Sequence, residues 1–462
     1  MKKFALCLRQ QWGILILSFT FSMSFATKSM ADGWYDLGGG LDGWVYASTV
    51  WNGDLVVGGD FTYAGGVAAN HVARWDGTSW HALGTGTDGS VWSLAVYNGK
   101  LFAGGFFLNA GGNNVSYVAK WTGSNWTDLD GGTDGPVVSM TVYDNKLIIG
   151  GYFTSSDFVA DYIASWDGSN WASLGSGMGG SEGQVMALTV YNSELIAAGF
   201  FTTAGGVSAN HIASWDGSSW SALGDGISWI TYSLTVYDGD LIAGGLFGSA
   251  GGVEAHDVAR WDGSAWDSLG SGCGGGLYGY VLALTVYNNK LVAGGIYTTA
   301  GGNQAANIAA WDGTSWAPLA TYMGSGGTLE AVYTLTVADG DLVAGGIFTY
   351  VDGTGCGNVA GYHETVTTVG SNVPAGGLRI DNPYPNPFND VTEIQFQLLK
   401  EEKIQITLQD MSGRLIQNIA SGYFAAGNHS VTIDAGSLGS GNYLCKFQSE
   451  SGAEVKKLLL IK

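Results

Sequence analysis

The sequence predicts an all-β protein: a seven-bladed β-propeller closed by an N-terminal strand, followed by a small immunoglobulin-like β-sandwich. Three observations predict it. The string Leu-x-x-Gly-Gly-x-Phe recurs, with variations, from Leu55, Leu101, Leu147, Leu195, Leu241, Leu291 and Leu342. The string Trp-Asp-Gly-x-x-Trp follows the first six, from Trp75, Trp121 (with Thr122 for Asp), Trp166, Trp215, Trp261 and Trp311. The seventh copy stops at Tyr362, and its missing half stands near the start of the chain, at Asp32 to Gly38. A repeat of 45 to 51 residues, split across the two ends, is what a closed ring requires.

Residues 1–26 read as a secretory signal peptide. Lys2, Lys3 and Arg9 precede an apolar stretch from Trp12 to Phe25 that is too short to span a bilayer. Ser24-Phe25-Ala26 and Ser29-Met30-Ala31 are the candidate cleavage sites. Residues 32–363 form the propeller, each copy reading as four strands. In the second copy these are Val91 to Tyr97, Lys100 to Phe107, Ser116 to Trp121 and Asn125 to Leu129. Asn98-Gly99 joins the first two, and Asn52-Gly53, Asp144-Asn145, Asp238-Gly239 and Asp339-Gly340 do so elsewhere. Such pairs favour two-residue hairpins because both central residues need positive φ.

The first strands carry a small column: Ala47, Ser93, Ser139, Ala187, Ser233, Ala283 and Thr334. A mostly bulky column precedes it: Tyr46, Trp92, Val138, Met186, Tyr232, Leu282 and Tyr333. Neighbours on a strand point to opposite faces, so each blade is expected to offer a bulky face to the next blade's small one. The strand around Trp34 is expected to complete the last blade and remove an exposed edge. The alternatives are an open solenoid, or a last blade that uses Thr365 to Val369 as its own fourth strand.

Residues 364–377 read as a Thr-, Val-, Gly- and Ser-rich linker. Short apolar or alternating runs at 391–398, 403–409, 414–419, 429–433, 442–448 and 454–461 then predict a sandwich over 378–462.

Composition narrows the function. The net charge of −21 argues against nucleic acid, which needs a basic footprint. Three cysteines remain beyond the signal peptide, Cys273, Cys356 and Cys445, too few for a disulfide scaffold. Cys273 and Cys356 break the repeat in loops of neighbouring blades, where they either form a disulfide or stand as two free thiols. No calcium-loop or zinc-type spacing occurs, so no metal and no cofactor are expected.

In a repeat protein the shared residues serve the fold, so departures from the pattern are the better functional candidates. The loops from Leu174 to Val185, Leu269 to Val281 and Leu319 to Val332 are longer than that from Leu83 to Val91. Trp229 and Glu330 replace a recurrent glycine, and Tyr278 and Tyr280 lie in the same region. With Glu182 and Asp225 they form a candidate sugar site, since aromatic faces stack on sugar rings and carboxylates accept from hydroxyls. The competing reading is that they pack under their own loops. Glu182, Asp225 and Glu330 show no spacing that singles out a catalytic pair, so no enzyme is expected. His71 and His211 share a strand-start position with Tyr117, Tyr162, Asp257, Asn307 and Asn358, which points to a fold role.

The C-terminal segment closely resembles the type A sorting domain of the bacterial type IX secretion system. The match runs through Asn382-Pro383-Tyr384-Pro385-Asn386-Pro387-Phe388-Asn389, Asp410-Met411-Ser412-Gly413-Arg414, Gly427-Asn428-His429, Ser440-Gly441-Asn442-Tyr443 and the Lys456 to Lys462 ending. The resemblance implies passage through the periplasm, then export to the surface or medium by the type IX machinery acting on 378–462. Residues 32–363 resemble Gly-Gly-Asp-Phe-type extracellular propeller repeats, loosely similar to kelch-like and cortical-marker propellers. The likeness of Trp-Asp to WD40 repeats is misleading, since Asp76-Gly77 is a hairpin turn and the Gly-His partner motif is absent. The expected role is non-catalytic binding of a glycan or a surface protein. The alternatives are an extracellular carbohydrate-active enzyme and a purely structural surface component.

Overall fold

The repeat is realised as antiparallel sheets in a computed structural model. It describes residues 32–155, 160–180, 183–275, 279–325, 330–364, 378–380, 383, 388–389, 391–398, 400–410, 414–436, 438–439, 441–449 and 452–460. The expected signal peptide at 1–26 lies outside the described residues, as do 365–377 of the expected linker.

Among the described residues, 32–364 contains seven four-stranded antiparallel sheets on one plan. The second copy shows it, with strands Val91–Tyr97, Lys100–Gly105, Val118–Trp121 and Trp126–Thr127 in sheet order. The first turn of each sheet has two positive-φ residues, as at Asn98 (49°) and Gly99 (68°). That geometry matches strand twist and selects Asn, Asp and Gly. The third-to-fourth turn is held by its aspartate: Asp76 Oδ1 accepts from the amides of Thr78 and Ser79, both at 2.8 Å. Asp167, Asp216, Asp262 and Asp312 repeat the arrangement. Side-chain bonds from Thr78 and His81 to Asp76, and from Ser218 to Asp216, together with these amides hold both carboxyls far below the usual carboxylate range.

The Gly-Gly pair sets how closely sheets and strands approach. A Cβ on Gly150 would lie 2.5 Å from Val185 Cγ1 of the next sheet. A Cβ on its neighbour Gly151 would lie 2.1 Å from the Pro136 carbonyl oxygen, where the first strand bulges. The first glycine therefore fixes the gap between sheets and the second admits the bulge. Ala198 takes the first position in the fourth sheet, where Thr231 of the following strand stands in the usual valine's register.

First strands pack from sheet to sheet all the way round: Val45–Trp51 touches both Val91–Tyr97 and Ala331–Ala338. Further out, each fourth-strand tryptophan donates its indole N–H to the leucine carbonyl that ends the preceding sheet. Trp80 reaches Leu37 at 2.7 Å, and Trp126 reaches Leu83 at 2.9 Å. Trp171, Trp220, Trp266 and Trp316 bond likewise to Leu129, Leu174, Leu223 and Leu269. The seventh bond is Trp34 to Leu319 at 2.9 Å.

The N-terminal strand Gly33–Asp36 is the fourth strand of the last sheet, pairing with Val359–His363. Tyr35 donates to Asp341 Oδ2 at 2.7 Å, and the other Asp341 oxygen meets His363 Nδ1 at 2.6 Å. Asn358 Nδ2 donates to the Leu41 carbonyl at 3.0 Å. Thr365 to Val369, the alternative fourth strand, lies outside the described residues.

The C-terminal region alternates buried and exposed residues, as along Val391–Leu398. It forms a sheet of Leu378–Ile380, Val391–Leu398 and Gly427–Asp434, and a second of Leu415–Phe424, Glu402–Asp410, Gly441–Ser449 and Gly452–Leu460. Both contribute to one apolar core, with Ile394 and Phe396 from the first and Ile406, Phe447 and Leu458 from the second.

Gly150→Val tests the sheet spacing. It should cost about 2–3 kcal/mol in chemical denaturation, an overpacking penalty at a rigid contact. An unchanged midpoint would show that the gap is not set there.

Candidate functional site

The sheets have unlike ends. The turn end carries the two-residue and Asp-Gly turns. The loop end carries the inter-sheet loops and the second-to-third-strand loops, six of which, among the described residues, are stiffened by a miniature hairpin such as Asn109–Ala110 with Asn113–Asn114. Several loop-end carboxylates are committed to this scaffold. Asp42 accepts from the amides of Thr62 and Tyr63, and Asp88 from those of Leu108 and Asn109.

Bulky first-strand residues meet at this end. The expected pairing of bulky with small faces holds only in part. The small column is buried, but several of its bulky neighbours touch one another from sheet to sheet. Tyr46 stacks on Trp92 (centroids 4.2 Å, 20° between planes) and meets Tyr333 edge-on at 5.3 Å. Trp92 packs on Phe106 at 5.4 Å, and Phe106 on Tyr152 at 6.1 Å. The Tyr152 hydroxyl points on to Met186 Sδ at 3.4 Å. An aromatic arc thus crosses four sheets and reaches Met186 on a fifth, with Trp44 beside Tyr46. Trp44, Phe106 and Trp229 are nearly half exposed, at 46, 45 and 46 %.

Polar groups join the arc. Burial raises the Tyr46 hydroxyl pKa above its ordinary value, with the Asp60 charge and Tyr333 adding to it. Burial does the same at Tyr232, where Tyr280, Tyr152 and Tyr333 add smaller contributions.

The sequence candidates divide. Trp229 packs on Phe200 (5.0 Å) and His211 (6.0 Å), while His211 stacks flat on Phe200. His211 and Asp225 line one shallow cleft of about 360 Å³, which brings Trp229 and Asp225 into one neighbourhood. The Tyr280 ring lies 6.3 Å from that of Tyr232. Glu330 instead accepts from the amide and hydroxyl of Ser325 at 3.2 Å, packing its own loop. Glu182 and Tyr278 lie outside the described residues. The main arc was missed, because Tyr46, Trp92 and Phe106 belong to repeat columns and read as fold residues.

Cys273 and Cys356 are free thiols, which corrects the disulfide alternative. Each is buried in a different apolar cluster. Cys273 pairs with Ala300 where Met323 pairs with Val351, and Cys356 takes the position of Ala209 and Ala305. Both fill core volume, and burial pushes the Cys356 thiol up to about 12.

The column shared by His71 and His211 has a backbone reason. His71, Tyr117, Tyr162, His211, Asp257, Asn307 and Asn358 all have φ between 63° and 70°. Asn, Asp and His tolerate that region best among non-glycine residues. Asn307 and Asn358 accept from the amides of Tyr297 and Phe348. His71 and His211 instead bury an Nδ1 with no hydrogen-bond partner among the described residues, and burial lowers both pKa values. Among the described residues no group of three or more His, Cys, Asp or Glu could hold a metal ion.

Asp257 is the carboxylic acid of this column, at the position of Asn307 and Asn358. Its Oδ1 accepts from the Phe247 amide at 3.0 Å, and burial pushes its carboxyl up to about 7. A protonated carboxyl has the same shape and donor as the asparagine amide. Because the folded pKa lies above the unfolded one, stability should fall as pH rises from the ordinary carboxylate range through about 7. Asp257→Asn should abolish that slope and gain about 1–3 kcal/mol at pH 8 over the parent, with little gain near pH 4. The buried histidines act alike in both proteins and cancel in the comparison. Parallel stability-versus-pH curves would contradict the assignment.

Two family models agree with this architecture. Residues 382–462 match the secretion system C-terminal sorting domain, and residues 47–196 match the Rax2 C-terminal beta propeller domain. No curated protein matches the chain. Among solved structures, a structural genomics protein of unknown function from Bacteroides thetaiotaomicron is 9% identical over 72% of each chain, with TM-score 0.37. A glycoside hydrolase family 43 arabinoxylan arabinofuranohydrolase from Bacillus subtilis is 14% identical over 91% of this chain and 96% of its own, at TM-score 0.24. Dimeric latent PorU from Porphyromonas gingivalis is 11% identical over 79% of this chain and 32% of its own, at TM-score 0.18. A β-propeller region and a type IX secretion sorting domain are thus both detected in this chain, and the sorting domain marks it for export to the cell surface or for secretion.

Proposed function

We propose that this chain is a non-catalytic glycan-binding protein, presented outside the cell on a seven-bladed β-propeller. In this reading the seven sheets are the blades, and Gly33–Asp36 closes the ring. Residues 1–26 are a signal peptide, 364–377 a linker, and 378–462 an immunoglobulin-like sandwich engaged by the secretion machinery. The observation that carries the functional reading is the aromatic arc from Tyr333 through Tyr46, Trp92 and Phe106 to Tyr152.

The chemistry supports binding. Aromatic faces cover the C–H faces of sugar rings, and nearby hydroxyls exchange hydrogen bonds with the ligand. Glycosidic hydrolysis would instead need two carboxyls flanking one bond. Glu330 is engaged by Ser325, and Asp225 lines the separate cleft beside His211.

The test is a glycan-array and calorimetric screen of the chain from Asp32, with its C-terminal region retained. Saturable glycan binding without product by mass spectrometry is expected. Trp92→Ala should weaken it by about tenfold or more, in the range of one lost stacking aromatic at a binding hot spot. Released product would establish an enzyme. Absence of glycan binding, or unchanged affinity in Trp92→Ala, would remove the arc from the account.

A further inference from the structure

The mouth has an electrostatic sign. We infer that it selects uncharged saccharides and refuses anionic ones, because carboxylates and no cation surround its aromatic arc. This rests on the glycan reading above. The Lys and Arg residues of 32–364 are Arg74, Lys100, Lys120, Lys146, Arg260 and Lys290. Lys100, Lys146 and Lys290 open second strands directly after the two-residue turns. Arg74, Lys120 and Arg260 directly precede the tryptophan that ends a third strand. All six therefore stand at the turn end.

Half of them are already paired there. Arg74 meets Asp54, Arg260 meets Asp240 and Asp267, and Lys290 meets Glu364. The undescribed segments 156–159, 181–182, 276–278 and 326–329 add no Lys or Arg.

At the loop end the charges are acidic. Asp60 is half exposed and takes the position that Phe106 holds in the next sheet, at the end of the Gly-Gly strand. It approaches His71 at 3.9 Å, and its charge acts on the Tyr46 hydroxyl. Asp42 and Asp88 hold the adjoining loops. The Tyr46, Tyr232 and Tyr333 hydroxyls have no hydrogen-bond partner among the described residues. A tyrosine hydroxyl both donates and accepts, which suits sugar hydroxyls. A carboxylate or sulfate on the ligand would give up water for like charge with no cation to meet it.

Calorimetry decides this with neutral gluco-, manno- and xylo-oligosaccharides, and with uronate and sulfated oligosaccharides of equal length. At least one neutral series should bind, with affinity unchanged between about 50 and 500 mM salt. The acidic series should bind about tenfold more weakly or worse, and Asp60→Lys should narrow that gap by severalfold through local charge reversal. Asp60→Asn should narrow it less, in the same direction. Acidic saccharides that bind as tightly as neutral ones, or a gap that neither variant changes, would overturn the charge selection and leave glycan binding standing. Failure of every series, neutral ones included, would overturn glycan binding itself.

Discussion

The structure of residues 32–364 depends on one repeated hydrogen bond, from a fourth-strand indole to the carbonyl that ends the sheet before it. Each bond lies at 2.7–2.9 Å, and Trp34 to Leu319 and Trp80 to Leu37 carry the series across the chain terminus. The indole is bulky and largely buried, so it must find an acceptor there. It finds one only if the neighbouring sheet sits at the right distance and tilt. A single bond contributes about 1 kcal/mol. A closed series of them fixes register between sheets that share no ladder, and losing one position disturbs both neighbours.

The Gly-Gly pair sets the same spacing from the inside. With no side chain at Gly58, Gly104 or Gly150, the valine of the next first strand comes into contact with the backbone. First strands are thereby drawn close, and the bulky residues beside the buried small column are left to meet each other. The aromatic arc is thus a consequence of the fold constraint. The same residues that read as packing in one repeat become a continuous surface once the copies face a common axis. The charge pattern follows similar logic. Every cation of the sheets sits beside a turn, so the loop end keeps the acidic character of the whole chain.

Much of this was legible in the sequence. The second-copy first strand, Val91–Tyr97, has the expected bounds, and the displaced half-repeat at Trp34 pairs as expected with the last sheet. The miniature hairpins were not, since two-residue strands carry no periodic signal. Departures from the repeat have unlike structural reasons. Cys273 and Cys356 depart because their core positions accept varied apolar side chains, Ile227 and Met323 at the first and Ala209 and Ala305 at the second, while Glu330 departs to hold Ser325. Trp229 and Asp225 did come together, around His211. The main arc stayed hidden because its members are neighbours across sheets about one repeat apart, a relation that no local pattern records.

Closure by the N-terminal strand is the claim on which the spacing, the arc and its electrostatic sign all rest. Native-state hydrogen exchange tests it most directly. If Gly33–Asp36 is the fourth strand of the last sheet, its bonded amides and the Trp34 indole should exchange with the slow group that holds Trp80–Ala82 and the Trp80 indole. Exchange of Gly33–Asp36 at the rate of a free chain terminus, while Trp80–Ala82 stays protected, would contradict the closed ring.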